Sequence, residues 1–392
     1  MLGTAHRPSH VPRRRPRSHA RVSSTPVPSS YGQTPLRAVQ VLGSGSGAGA
    51  HVRSLTAGLV AHGLRVTVCA PGAAEREYGF HRAGARFRPV DARTTAGRVA
   101  AVRSACAGAS LVHAHGLRSG LLAALALRGR RVPLVVTWHT RPRAEGAAAR
   151  GVRLLERTVA RAAAVVLGVS SDLVDRARER GARDARLAPA ALPVPAPPPV
   201  RDEARRQKVR AELGVVDRPL LLTAGRLEEG RGYRPLLDAA RSWVRLDPPP
   251  LLAIAGEGPA RSALRRRIED EGLPVRLLGR RDDLPELLAV ADLAVLSSPW
   301  EARPVLAHEA LHAGVPLVAT AVGGVPELVG PAAELVPYDD PWALSTAVTR
   351  LLADPLRRAR LSAAGRVQAA GWPDEENTVA QVLGVYDELT AS

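Results

Sequence analysis

The chain has 392 residues, 45% of them hydrophobic, which suits two cores of ordinary size better than one. Its formal charge of +18 invites a nucleic-acid reading, but aromatics at 3% are too few to line a base-stacking platform. Two cysteines without a CxxC pair exclude a disulfide framework and a thiolate zinc site, and no apolar run approaches the ~18 residues of a membrane span.

Residues 1–36 carry Arg7, Arg13, Arg14, Arg15, Arg17 and Arg21, no acid, and no apolar core of a secretory leader, and they read as a disordered basic tail. Lys208 is the sole lysine, so the charge is an arginine bias that GC-rich codons also produce. As a functional matter it leaves an anionic membrane surface open as a partner and disfavours nucleic acid. Cys69 and Cys106 read as buried small hydrophobes of a reducing compartment, which places the chain in the cytoplasm, within reach of the inner membrane face.

From residue 37 to 190, short β-branched runs alternate with Ala/Leu/Arg-rich helical stretches: RAVQVLG, LRVTVCAP, ARFRPV, SLVHAHG, VPLVVTWHT and AAVVLGVS. This pattern predicts an α/β domain with a doubly wound parallel sheet. Residues 191–213 form a proline-rich linker and connecting helix. The alternation resumes over 214–372 in PLLLTAG, LLAIAGEG, VRLLG, DLAVLSS, VPLVATAVGG and AELVP, and residues 373–392 read as a terminal helix packing back on the first domain. Ligands of such sheets bind beyond the strand C-termini, so the chemistry is expected in the cleft between two Rossmann-like domains.

Within the second domain, PWEARPVLAHEALHAG follows a buried strand. Pro304 is expected as the first residue of a helix, leaving the Val305 and Leu306 amides free at its positive end, a seat for phosphate. Glu309, inside the helix, suits a ribose diol, and Glu301, on the turn before it, suits a sugar hydroxyl. AGRLEEGRG sets Arg226 and Arg231 beside Gly225 and other glycines, where a diphosphate needs countercharge. IAGEGP puts Gly256 and Gly258 at another strand end for close backbone approach, and Gly323 and Gly324 open one more helix.

GRLEEGRG, GEGP, VRLLGRRDDLPELLAVADLAVLSS and EARPVLAHEALHAGVPLVATAVGGVPELV together resemble the donor half of a retaining glycosyltransferase of family 4 (glycosyl transferases group 1) with the GT-B fold. GAGAHVRSLTAGLVAHGLRVTV, LVHAHGLRSG and VVTWHT extend the resemblance over residues 37 to 390. It implies that Glu309 binds the donor ribose, Glu301 the transferred sugar, and Arg226 and Arg231 the leaving diphosphate. It also implies that Gly47 lets backbone amides approach donor phosphate or acceptor, that His139 lies near the reaction centre, and that the backbone at Arg280 holds the base. The implied activity is retaining transfer of a hexosyl unit from a UDP- or GDP-sugar to a hydroxyl of a lipid, polysaccharide or small metabolite, without cofactor or metal.

Ala302, Arg303 and Pro304 stand where the family often has glycine, an aromatic or apolar residue, and glycine. Arg303 is expected either to pair with Glu301 or to contact an acidic group on donor or acceptor. These departures keep open an alternative from another class, a catalytically silent nucleotide-sugar binding protein or partner subunit. His113 and His115 share one strand face, but without a third ligand nearby they make a weak metal pair, and His115 at the strand end suits acceptor contact. His51 and His62, on or near the first helix, read as packing or surface residues. GSGAGA, residues 45–50, matches a dinucleotide fingerprint, but Val68, Cys69, Ala70 and Pro71 supply no ribose-binding acid, which disfavours a dehydrogenase. No D-x-D motif is present to hold a divalent ion on a diphosphate.

Overall fold

The computed structural model describes residues 35–43, 48–192, 203–215 and 217–391; the basic tail through residue 34, Gly47 and residues 193–202 of the linker lie outside them. The first half runs β1 (Arg37–Leu42), α1 (Gly49–Ala61), β2 (Arg65–Ala70), α2 (Gly72–Tyr78), β3 (Arg86–Pro89), α3 (Thr95–Ala105), β4 (Leu111–His115), α4 (Leu117–Ala126), β5 (Leu134–Trp138), α5 (Gly146–Ala162), β6 (Val165–Gly168), α6 (Ser171–Glu179) and β7 (Ala185–Leu187). After α7 (Glu203–Glu212) come β8 (Leu220–Ala224), α8 (Tyr233–Trp243), β9 (Leu251–Ala255), α9 (Arg261–Asp270), β10 (Val275–Gly279), α10 (Leu284–Val290), β11 (Leu293–Leu296), α11 (Val305–Ala313), β12 (Leu317–Thr320), α12 (Val325–Val329) and β13 (Ala333–Val336). Helices α13 (Pro341–Ala353), α14 (Pro355–Ala370) and α15 (Glu375–Thr390) close the chain.

The strands form two sheets, parallel throughout, in the orders β3-β2-β1-β4-β5-β6-β7 and β10-β9-β8-β11-β12-β13. Central strands such as β4, β5 and β9 are buried at every position, as strands covered by helices on both faces must be. Strand order reverses between β1 and β4 and again between β8 and β11, so a crevice opens beyond the C-terminal ends of these pairs. Every strand expected from hydrophobic runs is present. β7 was not expected, because three residues at a sheet edge, Ala-Arg-Leu, carry no readable pattern.

Residues of the second half pack directly on the first. Trp300 and Ala302 join the core formed by Val136, Val169 and Leu173. Trp300 Nε1 donates to Asp172 Oδ2 at 2.7 Å. Glu327 accepts hydrogen bonds from the Ser171 amide at 3.1 Å and from its hydroxyl, an anion at the positive end of α6. Arg143, after β5, donates to the Gly230 carbonyl at 2.6 Å.

Helix α15 lies against α1, where a Cβ on Gly58 would sit 2.3 Å from Val379 Cγ2. It sinks Val379, Val382, Val385 and Tyr386 into the core of the first half. The fully buried Tyr386 hydroxyl accepts from Gln40 Nε2 and donates to His113 Nδ1, both at 2.8 Å. Among the described residues, no helix is long and apolar enough to cross a membrane. Cys69 and Cys106 are both buried free thiols, their pKa values pushed up by burial to about 12 and about 11.

Replacing Tyr386 with Phe strands two buried polar partners, and is expected to cost about 1–3 kcal/mol of stability, read from the urea midpoint. A variant as stable as the parent would show that this hydroxyl does not hold α15 in place.

Candidate active site

A cavity of about 180 Å³ sits where β8 and β11 end, lined by Gly225, Arg226, Arg231, Glu301, Val305 and Leu306 together with Ser297, Ser298 and Tyr233. The sequence-predicted residues Gly225, Arg226, Arg231, Glu301, Val305 and Leu306 therefore meet at one place. Helix α11 starts one residue later than expected. Pro304 is its N-cap, with extended backbone (φ −68°, ψ 128°), rather than its first residue, and its carbonyl accepts from His308 N at 3.1 Å. The correction leaves the anion seat intact, because proline has no side chain able to cap the amides of Val305 and Leu306.

The charges at this helix end are already interleaved. Arg226, largely exposed, reaches Glu228 Oε1 at 2.8 Å. Arg231 lies between Glu228, at 3.6 Å, and Glu301, to whose Oε1 its Nη1 donates at 3.3 Å. Glu301 is mostly buried, and desolvation raises its carboxyl pKa against the pull of Arg231, a Ser298 hydrogen bond and Arg143. Burial likewise pushes the neighbouring Tyr233 phenol up to about 12. Glu228, Arg143 and Tyr233 were missed in the sequence. Glu228 lies inside the quoted GRLEEGRG run with nothing to single it out, and Arg143 and Tyr233 enter only through tertiary contact.

Two backbone contacts hold these loops. A Cβ on Gly232 would sit 1.8 Å from the Ser297 carbonyl oxygen, pressing the arginine loop onto the end of β11. A Cβ on Gly323 would meet the Glu301 carbonyl oxygen at 2.2 Å, and Gly324 N donates to that same oxygen at 2.9 Å. Gly256 and Gly258, expected to approach the donor, do not line the cavity. They pack instead on the carbonyls of Gly225 and Leu227, where a Cβ would come to 1.9 and 2.3 Å, and so buttress the arginine loop from behind.

Glu309 lies four residues beyond Val305 and so on the same face of α11, just past the cavity. Its Oε2 is buried without a hydrogen-bond partner, and desolvation raises its pKa. A buried carboxylate oxygen without a donor departs from the rule that buried polar atoms are hydrogen-bonded. Arg280 is exposed, on Asp282 at 3.3 Å, and does not line the cavity; it is the preceding residue, Gly279 at the end of β10, whose carbonyl accepts from Gly256 N at 2.7 Å. Arg303 does not pair with Glu301 as one expectation had it, since Glu301 faces Arg231. Arg303 is largely buried, its Nε lacks a partner, burial lowers its pKa against the pull of Glu327, and it does not line the cavity. Gly47 lies outside the described residues.

On the first half, His139 follows β5 and meets His115 from β4 and His51 from α1. His115 is 1% exposed, so it is a buried support rather than an acceptor contact, a second correction. Its Nε2–H donates to Gln40 Oε1 at 2.6 Å, and its Nδ1 faces His139 Nε2 at 3.2 Å. His113 stacks on His115 with ring centroids 4.3 Å apart and donates from Nε2 to Thr137 Oγ1 at 2.6 Å. His51 is not a plain packing residue, because its ring centroid lies 5.3 Å from that of His139 and 5.8 Å from that of His115. The expectation that no third imidazole stands beside the VHAH pair is overturned: His51, His115 and His139 hold ring nitrogens all within 4.8 Å of one another. His62 caps α1 through its Nδ1 on the Gly58 carbonyl at 2.9 Å and takes no part.

Burial lowers the pKa of His51 to about 4 and of His113 to about 3, and drives His115 and His139 well below the ordinary histidine value. All four are therefore neutral at pH 7. Below pH ~6.5 the unfolded chain takes up protons that the folded one refuses, so stability is full above that pH and falls as acid is added toward the folded pKa values. Each ring adds a slope of up to about 1.4 kcal/mol per pH unit, measurable as a fall in urea midpoint between about pH 6.5 and 5, where few carboxylates titrate. A flat profile across that window would mean that these rings protonate in place.

Residues 205–368 match the family model for glycosyl transferases group 1, and residues 46–193 that for the glycosyl transferase 4-like domain. The chain is 33% identical over 251 residues to an alpha-D-kanosaminyltransferase of Streptomyces kanamyceticus, covering 60% of this chain and 63% of that protein's length. It is 32% identical over 306 residues to a D-inositol 3-phosphate glycosyltransferase of Xylanimonas cellulosilytica, covering 71% of this chain and 72% of that protein. The crystal structure of Anabaena Alr3699/HepE in complex with UDP and glucose superposes with a TM-score of 0.77 at 21% identity, over 90% of this chain and 100% of that one, and supports the fold. The chain belongs to the glycosyl transferases group 1, the family 4 glycosyltransferases of GT-B fold.

Proposed function

We propose that the protein transfers a hexosyl unit from a nucleotide diphosphate sugar, UDP- or GDP-linked, to an acceptor hydroxyl with retained anomeric configuration. One observation carries the reading: two guanidinium groups, one carboxylate and an uncapped helix N-terminus converge on one cavity at a strand switch point, with a partnerless carboxylate oxygen one turn along the same helix. The diphosphate would sit on the Val305 and Leu306 amides between Arg226 and Arg231, drawing both arginines away from Glu228. Glu309 would take the ribose hydroxyls and Glu301 a hydroxyl of the sugar. A solved relative of the same fold with UDP and glucose bound is consistent with such a donor. Relatives named for inositol phosphate, for phosphatidylinositol mannosides and for teichuronic acid keep a small metabolite, a lipid and a polysaccharide all open as acceptor.

The barrier would fall mainly because charge growing on the departing diphosphate meets donors already in position. The guanidinium groups and helix amides neutralise it, so the reading needs no resident metal or cofactor. Front-side attack, with the leaving phosphate accepting the acceptor's proton, accounts for retention without a covalent intermediate. His139, neutral and oriented by His115, would position the acceptor hydroxyl. Of the two residues behind the silent-binder alternative, Arg303 stays out of the cavity, whereas Pro304 lines it as the N-cap of α11.

Glu309→Gln removes charge-assisted hydrogen bonds worth about 1.5–3 kcal/mol, so UDP or GDP should bind roughly tenfold to a hundredfold more weakly by calorimetry. Undiminished affinity would refute the ribose role. Because the diol is held by the carboxylate form, affinity should fall with decreasing pH, beginning higher than for an ordinary glutamate, and the Gln variant should lose that dependence. Arg231→Ala should lower kcat by about 10²–10³ with a smaller change in KM, as loss of one preorganised donor does. Equal turnover by parent and variant would remove the electrostatic clamp.

A further inference from the structure

We propose that His51, His115 and His139 form a binding site for a tetrahedral first-row dication of the zinc class, and that an ion seated there withdraws His139 from transfer. Ion binding stands on the histidine geometry alone, whereas silencing of transfer rests on the reading given under Proposed function.

The three rings come from separate elements, α1, β4 and the loop after β5, and their nitrogens all lie within 4.8 Å of one another. A tetrahedral ion with bonds of about 2.0–2.1 Å holds its ligand nitrogens about 3.3 Å apart. His115 Nδ1 and His139 Nε2 already stand at 3.2 Å, and seating the ion requires the half-buried His51 ring to bring its nitrogen in from within 4.8 Å to the same spacing.

The surroundings present His115 as a ligand. Its Nε2–H is committed to Gln40 Oε1 at 2.6 Å, which leaves the Nδ1 lone pair turned toward His139. Gln40 is in turn held by the Tyr386 hydroxyl at 2.8 Å. An outer hydrogen-bond acceptor that sets tautomer and ring orientation is the usual support of a metal-bound imidazole. Without the ion, His139 Nε2–H donates to that lone pair. When the ion binds, that proton moves to His139 Nδ1, the ring stays neutral, and three nitrogen donors face the ion with a fourth position open to water or to an acceptor oxygen.

The test uses the full chain stripped with EDTA and titrated with cobalt chloride, whose tetrahedral d–d bands in the visible report the coordination directly. One equivalent should bind with those bands, zinc should abolish them, and His51→Ala should weaken binding by more than about tenfold. His312→Ala, which alters the separate His308–His312 ring pair on α11, should leave the bands unchanged. His51 is half-buried on a helix where alanine is well tolerated, so loss of the bands in that variant can be separated from misfolding by circular dichroism. Octahedral spectra, or a His51→Ala variant that binds as tightly as the parent, would overturn the site. Transfer should stop at one equivalent of zinc and return on chelation; bands without inhibition would overturn the silencing. A protein that forms the bands but transfers no sugar even without zinc would sink the transferase reading and leave the ion site standing.

Discussion

The site depends on how closely two backbones can approach. The loop after β8, which carries both arginines, lies against the end of β11 with no room for a side chain at Gly232, and it is backed by the β9 loop with no room at Gly256. These contacts are between main-chain atoms, so they tolerate almost no displacement. Arg226, Arg231 and the first turn of α11 are held in fixed relation by steric exclusion rather than by attraction between their charges. The mutual attractions that do exist, through Glu228, are partly exposed and individually weak.

That rigidity makes the electrostatics useful. Arg231 stands beside a carboxylate whose pKa is raised, because the desolvation of Glu301 outweighs its ion pair. Glu309 carries the same kind of penalty with nothing to offset it. Glu301 inside the cavity and Glu309 just past it are thus two poorly solvated acceptors close to two donor-rich guanidinium groups.

The histidine cluster of the first half is built on a different principle. Gln40, His113, His115, Thr137 and Tyr386 form one hydrogen-bonded chain that ends at His139, and every member of that chain before His139 is buried. Buried polar chains have definite direction, since each donor consumes an acceptor. The last long helix of the protein thereby sets the tautomer of a ring near the cleft through Tyr386, although it follows the whole second half in sequence. Trp300 on Asp172, Glu327 on Ser171 and Arg143 on Gly230 tie the halves together around the same crevice.

The α/β class, the strands except β7, and most of the lining of the cavity beyond β8 and β11 were legible in the sequence, because strand-length apolar runs, proline before a helix and glycines at strand ends report local backbone requirements that hold in any context. Pro304 was misplaced by one residue because N-cap and first-turn prolines look alike until the backbone angles are known. The partner of Arg231, the retreat of Arg303 from Glu301, the buttressing role of Gly256 and Gly258, and the burial of His115 could not be read, since each is a contact between residues far apart in the chain. His51 is the sharpest case. On its helix it is one of several polar residues, beside Arg53 and Ser54, and it becomes part of a three-imidazole cluster only when parallel pairing of β1, β4 and β5 stacks their C-terminal ends side by side. Local propensity and pattern determined which elements form; which side chains meet was decided by sheet order and helix packing, because those alone bring distant stretches of chain within bonding distance.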